Sequence, residues 1–152
     1  MRIKRLHYAR SGGTVVEFAV VAPVTFMLLL GLLIGGLGIF RYQQVARVSR
    51  DAARWASVHG TQYALDTKSP AATAQDVYNQ AIVPNATGLD LSKLTYSVTW
   101  NASNSPYHMA TVNGKQVKVA NTVTVSITYQ WLPEAFLGAI NLGSTTVSVM
   151  YY

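Results

Sequence analysis

Between Phe18 and Phe40 the chain carries no charged residue. This uncharged run is 23 residues long, and as an α-helix it would span about 34 Å, enough to cross a hydrocarbon core of about 30 Å. Two other readings compete with a membrane anchor. A buried helix of a soluble domain is one, but so long an apolar run is rare in a domain of this size. A cleaved secretory signal is the other. Its apolar segment should be about 7–15 residues and should end in a small-x-small site. Here the run is longer and closes on Phe40-Arg41-Tyr42. A retained single-pass anchor is therefore expected.

Charge placement supports that reading and removes another. The net charge of +6 and the pI near 9.7 suggest nucleic acid at first sight. Arg2, Lys4, Arg5 and Arg10, however, precede the run, with no acid among residues 1–10. Arg41, Arg47, Arg50 and Arg54 follow it. The basic residues thus bracket an apolar segment, as topology signals do, and no nucleic-acid partner is expected. Basic residues on both flanks leave orientation ambiguous by themselves. The short amino tail and the long, weakly charged, Thr/Ser/Asn/Tyr-rich carboxyl segment favour a cytoplasmic N-terminus and an exported C-terminal domain. Absence of cysteine excludes disulfides, thiolate catalysis and sulfur-ligated zinc.

An acid stands at the mouth of the run, in Gly12-Gly13-Thr14-Val15-Val16-Glu17-Phe18. A carboxylate entering lipid costs several kcal/mol, on the order of 2.5 or more, unless it is paired or reaches the interface. Glu17 could simply complement the positive end of the helix macrodipole. That account leaves the basic prefix and the two glycines unexplained. Together with the continuation to Pro23, these residues resemble type IV pilin-like proteins, and in particular TadE-like minor pilins of the tight-adherence (Tad/Flp) system. The resemblance covers roughly residues 10–57 and ends in the Ala/Arg-rich stretch Asp51–Ser57.

The resemblance implies a leader, residues 1–12, removed by a prepilin peptidase. Cutting between Gly12 and Gly13 would put Glu17 at the fifth position of the mature chain, with Phe18 beside it; Gly13 at the first position departs from the commoner small residues and blurs which glycine is cut. It further implies a pilin-like minor subunit in the bacterial inner membrane, with other pilin-like subunits and a pilus assembly platform as partners, serving cell adhesion and biofilm formation. The new α-amine at Gly13 would be mostly cationic at neutral pH. Pairing it with a neighbour's Glu17 would relieve two costly apolar burials and set axial register.

The anchor has a small-residue stripe. Gly31, Gly35 and Gly38 lie within about 60° of one another on a helix, and Glu17 and Val24 project onto the same face. Such a stripe allows close helix approach in lipid; alternatively, glycine is simply common in membrane helices. Pro23 should bend the helix. Beyond the anchor (13–40), Val45, Val48, Ala52, Trp55, Ala56, His59 and Tyr63 share one face of an expected amphipathic stalk helix over 41–63. Arg47, Arg50 and Arg54 lie opposite, facing solvent or lipid phosphates.

Residues 64–152 read as an exported α+β domain. A short helix is expected around Ala71–Val83. Period-two alternation then begins at Leu94, Tyr96, Val98 and Trp100. Asn113-Gly114 signals a type I′ hairpin between Tyr107–Val112 and a strand from Lys115. Val117, Val119, Val123, Val125, Ile127 and Tyr129 keep one parity, with Asn121 at a bend. The last strand is expected over Thr145–Tyr152, with Val147, Val149 and Tyr151 inward. Four or five antiparallel strands with one buried face, covered by the stalk helix, complete an α+β, pilin-like fold. The apolar connection Trp131–Leu137 reads either as a lid on the sheet core or as an exposed patch for a neighbouring subunit, with Phe136 as the test position.

Motifs for chemistry are missing. His7, His59 and His108 are far apart in sequence, no spacing suits a metal, and no phosphate loop or nucleophile elbow occurs. Asp66, Asp76, Asp90 and Glu134 form no pattern. No cofactor, no metal and no enzymatic activity are expected. Two further functions stay open at this point: a pseudopilin of a secretion or DNA-uptake machine, and a membrane protein whose exported domain binds a ligand or partner.

Overall fold

A computed structural model describes residues 12–103, 108–133 and 138–150. Residues 1–11 of the expected leader, Tyr107, Phe136 and Tyr151 lie outside the described residues. Helix α1 runs from Gly12 to Val58 without interruption. The chain divides into two compact units between Leu37 and Gly38, so α1 contributes to both.

The first unit is the amino-terminal part of α1. Pro23 lies inside it and removes one helical hydrogen bond. The Thr25 hydroxyl is satisfied within the helix by the Val21 carbonyl, at 3.0 Å. The most apolar stretch of α1 has a mean hydropathy of 2.5, and none of it is buried against the rest of the chain. That finding overturns the soluble-core reading. A core helix buries its apolar face, whereas Phe18, Leu28 and Leu32 are all more than two-thirds exposed.

The second unit, from Gly38 on, is α+β. The carboxyl-terminal part of α1 packs on a three-stranded antiparallel sheet of order β1-β4-β5. β1 is Leu94–Asn101, β4 is Thr122–Trp131 and β5 is Ile140–Val149. Alternation in β1 and β4 turns Val123, Val125, Ile127 and Tyr129 inward against Val45, Val48, Ala52, Ala53 and Ala56. Small residues on the helix let it sit close to the central strand. Ser49 is fully buried there. Its hydroxyl donates to the Val125 carbonyl at 3.1 Å and lies 2.9 Å from Thr146 Oγ1, so one side chain ties the helix to two strands.

The stalk helix is shorter than expected. It ends at Val58, and a separate helix α2 spans Thr61–Thr67. Gly60 marks the break: a Cβ there would collide with Cε of Met150. Tyr63 consequently leaves the inner face and is partly exposed, while Ser49, Ala53 and Ser57 join it. The next helix starts at Ala74 because Thr73 and Asp76 form a reciprocal capping box. It passes from α3 (Ala74–Val77) through a π-helical turn (Tyr78–Ile82) into α4 (Val83–Asn85). Val77, Ala81 and Ile82 fill the core from this side.

Two expectations about the sheet need correction. The hairpin β2 (His108–Val112) and β3 (Lys115–Val119) turns at Asn113 and Gly114, both with positive φ, as expected. It forms its own two-stranded sheet, however. The valine parity breaks at Ala120–Asn121, and Val117 is exposed. The Asn121 backbone bonds to the Asn101 carbonyl and to the Met150 N–H, each at 3.0 Å, tying all three main strands together at one end.

The second correction concerns β5. It begins at Ile140, and Val147 and Val149 face outward with 62% and 67% exposure. Pairing with β4 sets this parity: Thr124 faces Val147 and Thr122 faces Val149 across the outer face. The inner positions are Leu142, Ser144, Thr146 and Ser148, because the helix lies over β4 and the flank needs hydroxyls such as Thr146 beside Ser49.

Ser49→Ala removes the bridging hydroxyl and should lower unfolding stability by about 1–2 kcal/mol. Ser49→Leu should cost more, through overpacking of about 1–3 kcal/mol added to that loss. Thermal unfolding of the detergent-solubilised chain, followed by near-UV circular dichroism, measures both.

Candidate functional site

The residues singled out for assembly sit at the start of α1. Gly12 is its first residue. A Cβ at Gly13 would meet nothing, and Glu17 and Phe18 are exposed on the following turn. Among the described residues Glu17 has no hydrogen-bond or ion-pair partner, so its carboxylate is open to a group from outside the chain. Gly31 and Gly35 are equally open: a Cβ at either meets no atom within 4 Å. Their backbone can accept a close neighbour, and none of the described residues of the first unit occupies that space.

Gly38 behaves differently. A Cβ there would stand 2.9 Å from Cζ3 and 3.3 Å from Cη2 of Trp131. The missing side chain makes room for that indole within the second unit. Gly38 thus separates from the stripe of Gly31 and Gly35: this part of the face is taken up inside the chain. The sequence signal was ambiguous, because a glycine that admits another helix and one that admits a tryptophan look alike at small-xxx-small spacing.

Just beyond the uncharged run, Arg41 is half-buried. Its guanidinium donates to the Gly88 carbonyl and to Gln44 Oε1, the latter at 3.1 Å. Gly88 adopts φ +80°, a left-handed conformation that only glycine takes without strain. Arg41 therefore fixes the loop before β1 to the helix. Arg47, Arg50 and Arg54 remain exposed, with Arg47 paired to Asp51 at 3.6 Å.

The sequence reading missed a second concave feature. Trp55, His59 and Tyr63 line a cavity of about 420 Å³ together with Pro70, Asp76 and Gln80. Trp55 and His59 stack at 3.9 Å, and Tyr63 tilts against His59 at 4.6 Å. His59 Nδ1 lies 2.8 Å from the Trp55 carbonyl, so it carries the proton and Nε2 is the open nitrogen. The hydroxyl of Thr73, and then its backbone N–H, hold the Asp76 carboxyl below the usual carboxylate range. All three rings had been assigned to the helix's inner face, which hid the hollow created by the break at Gly60. Among the described residues no three of His, Asp and Glu gather to hold a metal.

With this geometry in place, comparison with known proteins identifies the anchor. Residues 12–54 match the family model for TadE-like protein. The match takes in the open start of α1, the apolar run and the arginine-bearing turns, and it ends before the first strand of the sheet. This part of the helix is similar to TadE-like protein, and the match covers under a third of the chain. Neither the curated proteins nor the solved structures contain a match.

Two outcomes follow. Gly38→Leu should lower the domain's melting temperature, with overpacking costing about 1–3 kcal/mol, whereas Gly35→Leu should leave it unchanged; differential scanning calorimetry in detergent compares them. Asp76→Asn should destabilise the domain at neutral pH. The folded carboxyl is more acidic than the unfolded one, so its contribution is present above the unfolded value and fades as pH falls below about 4. The gap between wild type and variant should therefore close on acidification, which a pH series of thermal melts would show.

Proposed function

We propose that the protein is a pilin-like minor subunit of a tight-adherence pilus. A prepilin peptidase cuts between Gly12 and Gly13. The mature chain is held in the inner membrane by α1, with its N-terminus on the cytoplasmic side and the α+β domain exported. The observation that carries this reading is Glu17: an open carboxylate four residues after Gly13, at the head of an unburied apolar helix of TadE-like sequence. In lipid such a carboxylate calls for a cation, and the amine freed at Gly13 of a neighbouring subunit has the right charge and depth. Stacking by this pairing fixes the axial step between subunits. The exposed backbones at Gly31 and Gly35 let a neighbouring helix come close enough to hold it.

Retention of the anchor also has support. Gly38 belongs to the uncharged run and packs under Trp131, so losing the run's end would uncover part of the folded domain. Function then rests on assembly and not on catalysis.

Mass spectrometry of protein extracted from native membranes should find its N-terminus at Gly13; an intact Met1 would defeat the proposal. Glu17→Gln should insert and be cut normally, yet fail to enter sheared filaments, as judged by immunoblotting against the membrane fraction. Assembly at the wild-type level would remove the registry role.

A further inference from the structure

The end of β4 can be assigned a depth relative to the membrane. Trp131 closes β4 and pairs with Ile140 at the start of β5. Its ring lies against Gly38, three residues before Arg41 and still inside the uncharged run. With the run centred at Leu29, a hydrocarbon core about 30 Å thick extends about ten residues to either side. Its far edge falls at Ile39. Gly38 is then at the margin of the hydrocarbon, and the indole packed on it is at the same margin. Tryptophan is the side chain enriched at this depth, because its ring suits acyl chains while its N–H reaches water.

The neighbours share that character. Leu132 is 50% exposed, Ile140 is 41% exposed, and Phe40 is 54% exposed. No charge occurs among Trp131, Leu132, Pro133 and Ile140. The first cation, Arg41, is about 4.5 Å further along the axis, where headgroups begin. Among the described residues these apolar side chains stay partly uncovered, as do Ile39 and Phe40 on the helix of the same unit.

We infer that the end of the domain formed by Trp131, Leu132 and Ile140 is seated in the outer margin of the bilayer that α1 crosses. The lipid surface is thereby a partner of the domain, not only of its anchor. Lipid is favoured over a second copy because Gly38, on which the Trp131 ring packs, belongs to the uncharged run itself. The inference rests on the reading of Phe18–Phe40 as a membrane span.

The absence of cysteine makes single-site labelling direct. Nitroxide would be attached to Leu132→Cys, to Leu29→Cys within the run, and to Thr99→Cys on the outer face of the sheet. The full chain, reconstituted in phosphatidylcholine–phosphatidylglycerol vesicles, is examined by power-saturation paramagnetic resonance with oxygen and with a water-soluble nickel chelate. Position 132 should favour oxygen over nickel several-fold relative to position 99, and less than position 29 does. Equal behaviour at 132 and 99, with position 29 embedded, would overturn the inference alone. Water-like behaviour at position 29 would overturn the span and the inference with it. Exclusion of both relaxing agents at 132 would mean that protein covers the tip, which also overturns it.

Discussion

Near Gly38 one helix changes its surroundings, and the rest of the structure depends on that change. α1 runs from Gly12 to Val58, and apart from its ends and the bond lost at Pro23 its backbone polar groups are paired within the helix, in lipid or in water alike. Side chains alone distinguish the two halves. Before Gly38 they are apolar on every side and unburied. After it, a face of alanines, valines and Ser49 is buried under the sheet, while arginines occupy the opposite side. Trp131 packs on Gly38, at the start of the second unit.

The helix is tied to β4 and β5 through Ser49 and to the loop before β1 through Arg41 and Gly88. Within the second unit, helix and sheet are thus joined by specific polar contacts as well as by the apolar core. Ser49 is nearly irreplaceable in this respect. A larger residue would push the helix off the central strand, and alanine would leave the Val125 carbonyl and the Thr146 hydroxyl without their bridge.

Much of this was legible in the sequence wherever a single physical demand dominated. The uncharged run could only be covered by lipid or by a large core, and Asn113-Gly114 could accept two positive φ values at a hairpin. The alternation in β1 and β4 agreed with burial on one face. Legibility failed where two demands competed. Val147 and Val149 are more hydrophobic than Ser144, Thr146 and Ser148, yet they lie outside because pairing with β4 determines the parity of an edge strand. Ser49 and Ser57 are polar, so the apolar periodicity carried no sign of their burial, but close helix–sheet approach rewards small residues. Gly38 matched a membrane-packing stripe by spacing, and only the position of Trp131 assigned it to the domain. The aromatic hollow at Trp55, His59 and Tyr63 depended on a helix break whose cause, Met150 lying against Gly60, is remote in sequence.

The distribution of charge takes on a different meaning once the fold is known. None of the strands β1, β4 and β5 carries a charged residue. Lys115 and Lys118 fall on β3, in the separate hairpin, and the other charges of the described domain lie on helices or connections. Long, uncharged sheet edges are usually liabilities, since they invite pairing with other chains. Here β5 keeps two exposed valines and no lysine or proline to discourage contact. A freely diffusing protein would be expected to guard such an edge. A chain held by its helix in a membrane meets other copies only in the orientations that the anchor permits, and this restriction can replace the missing charges. The low charge content is therefore consistent with a domain that never has to remain monomeric in open solution.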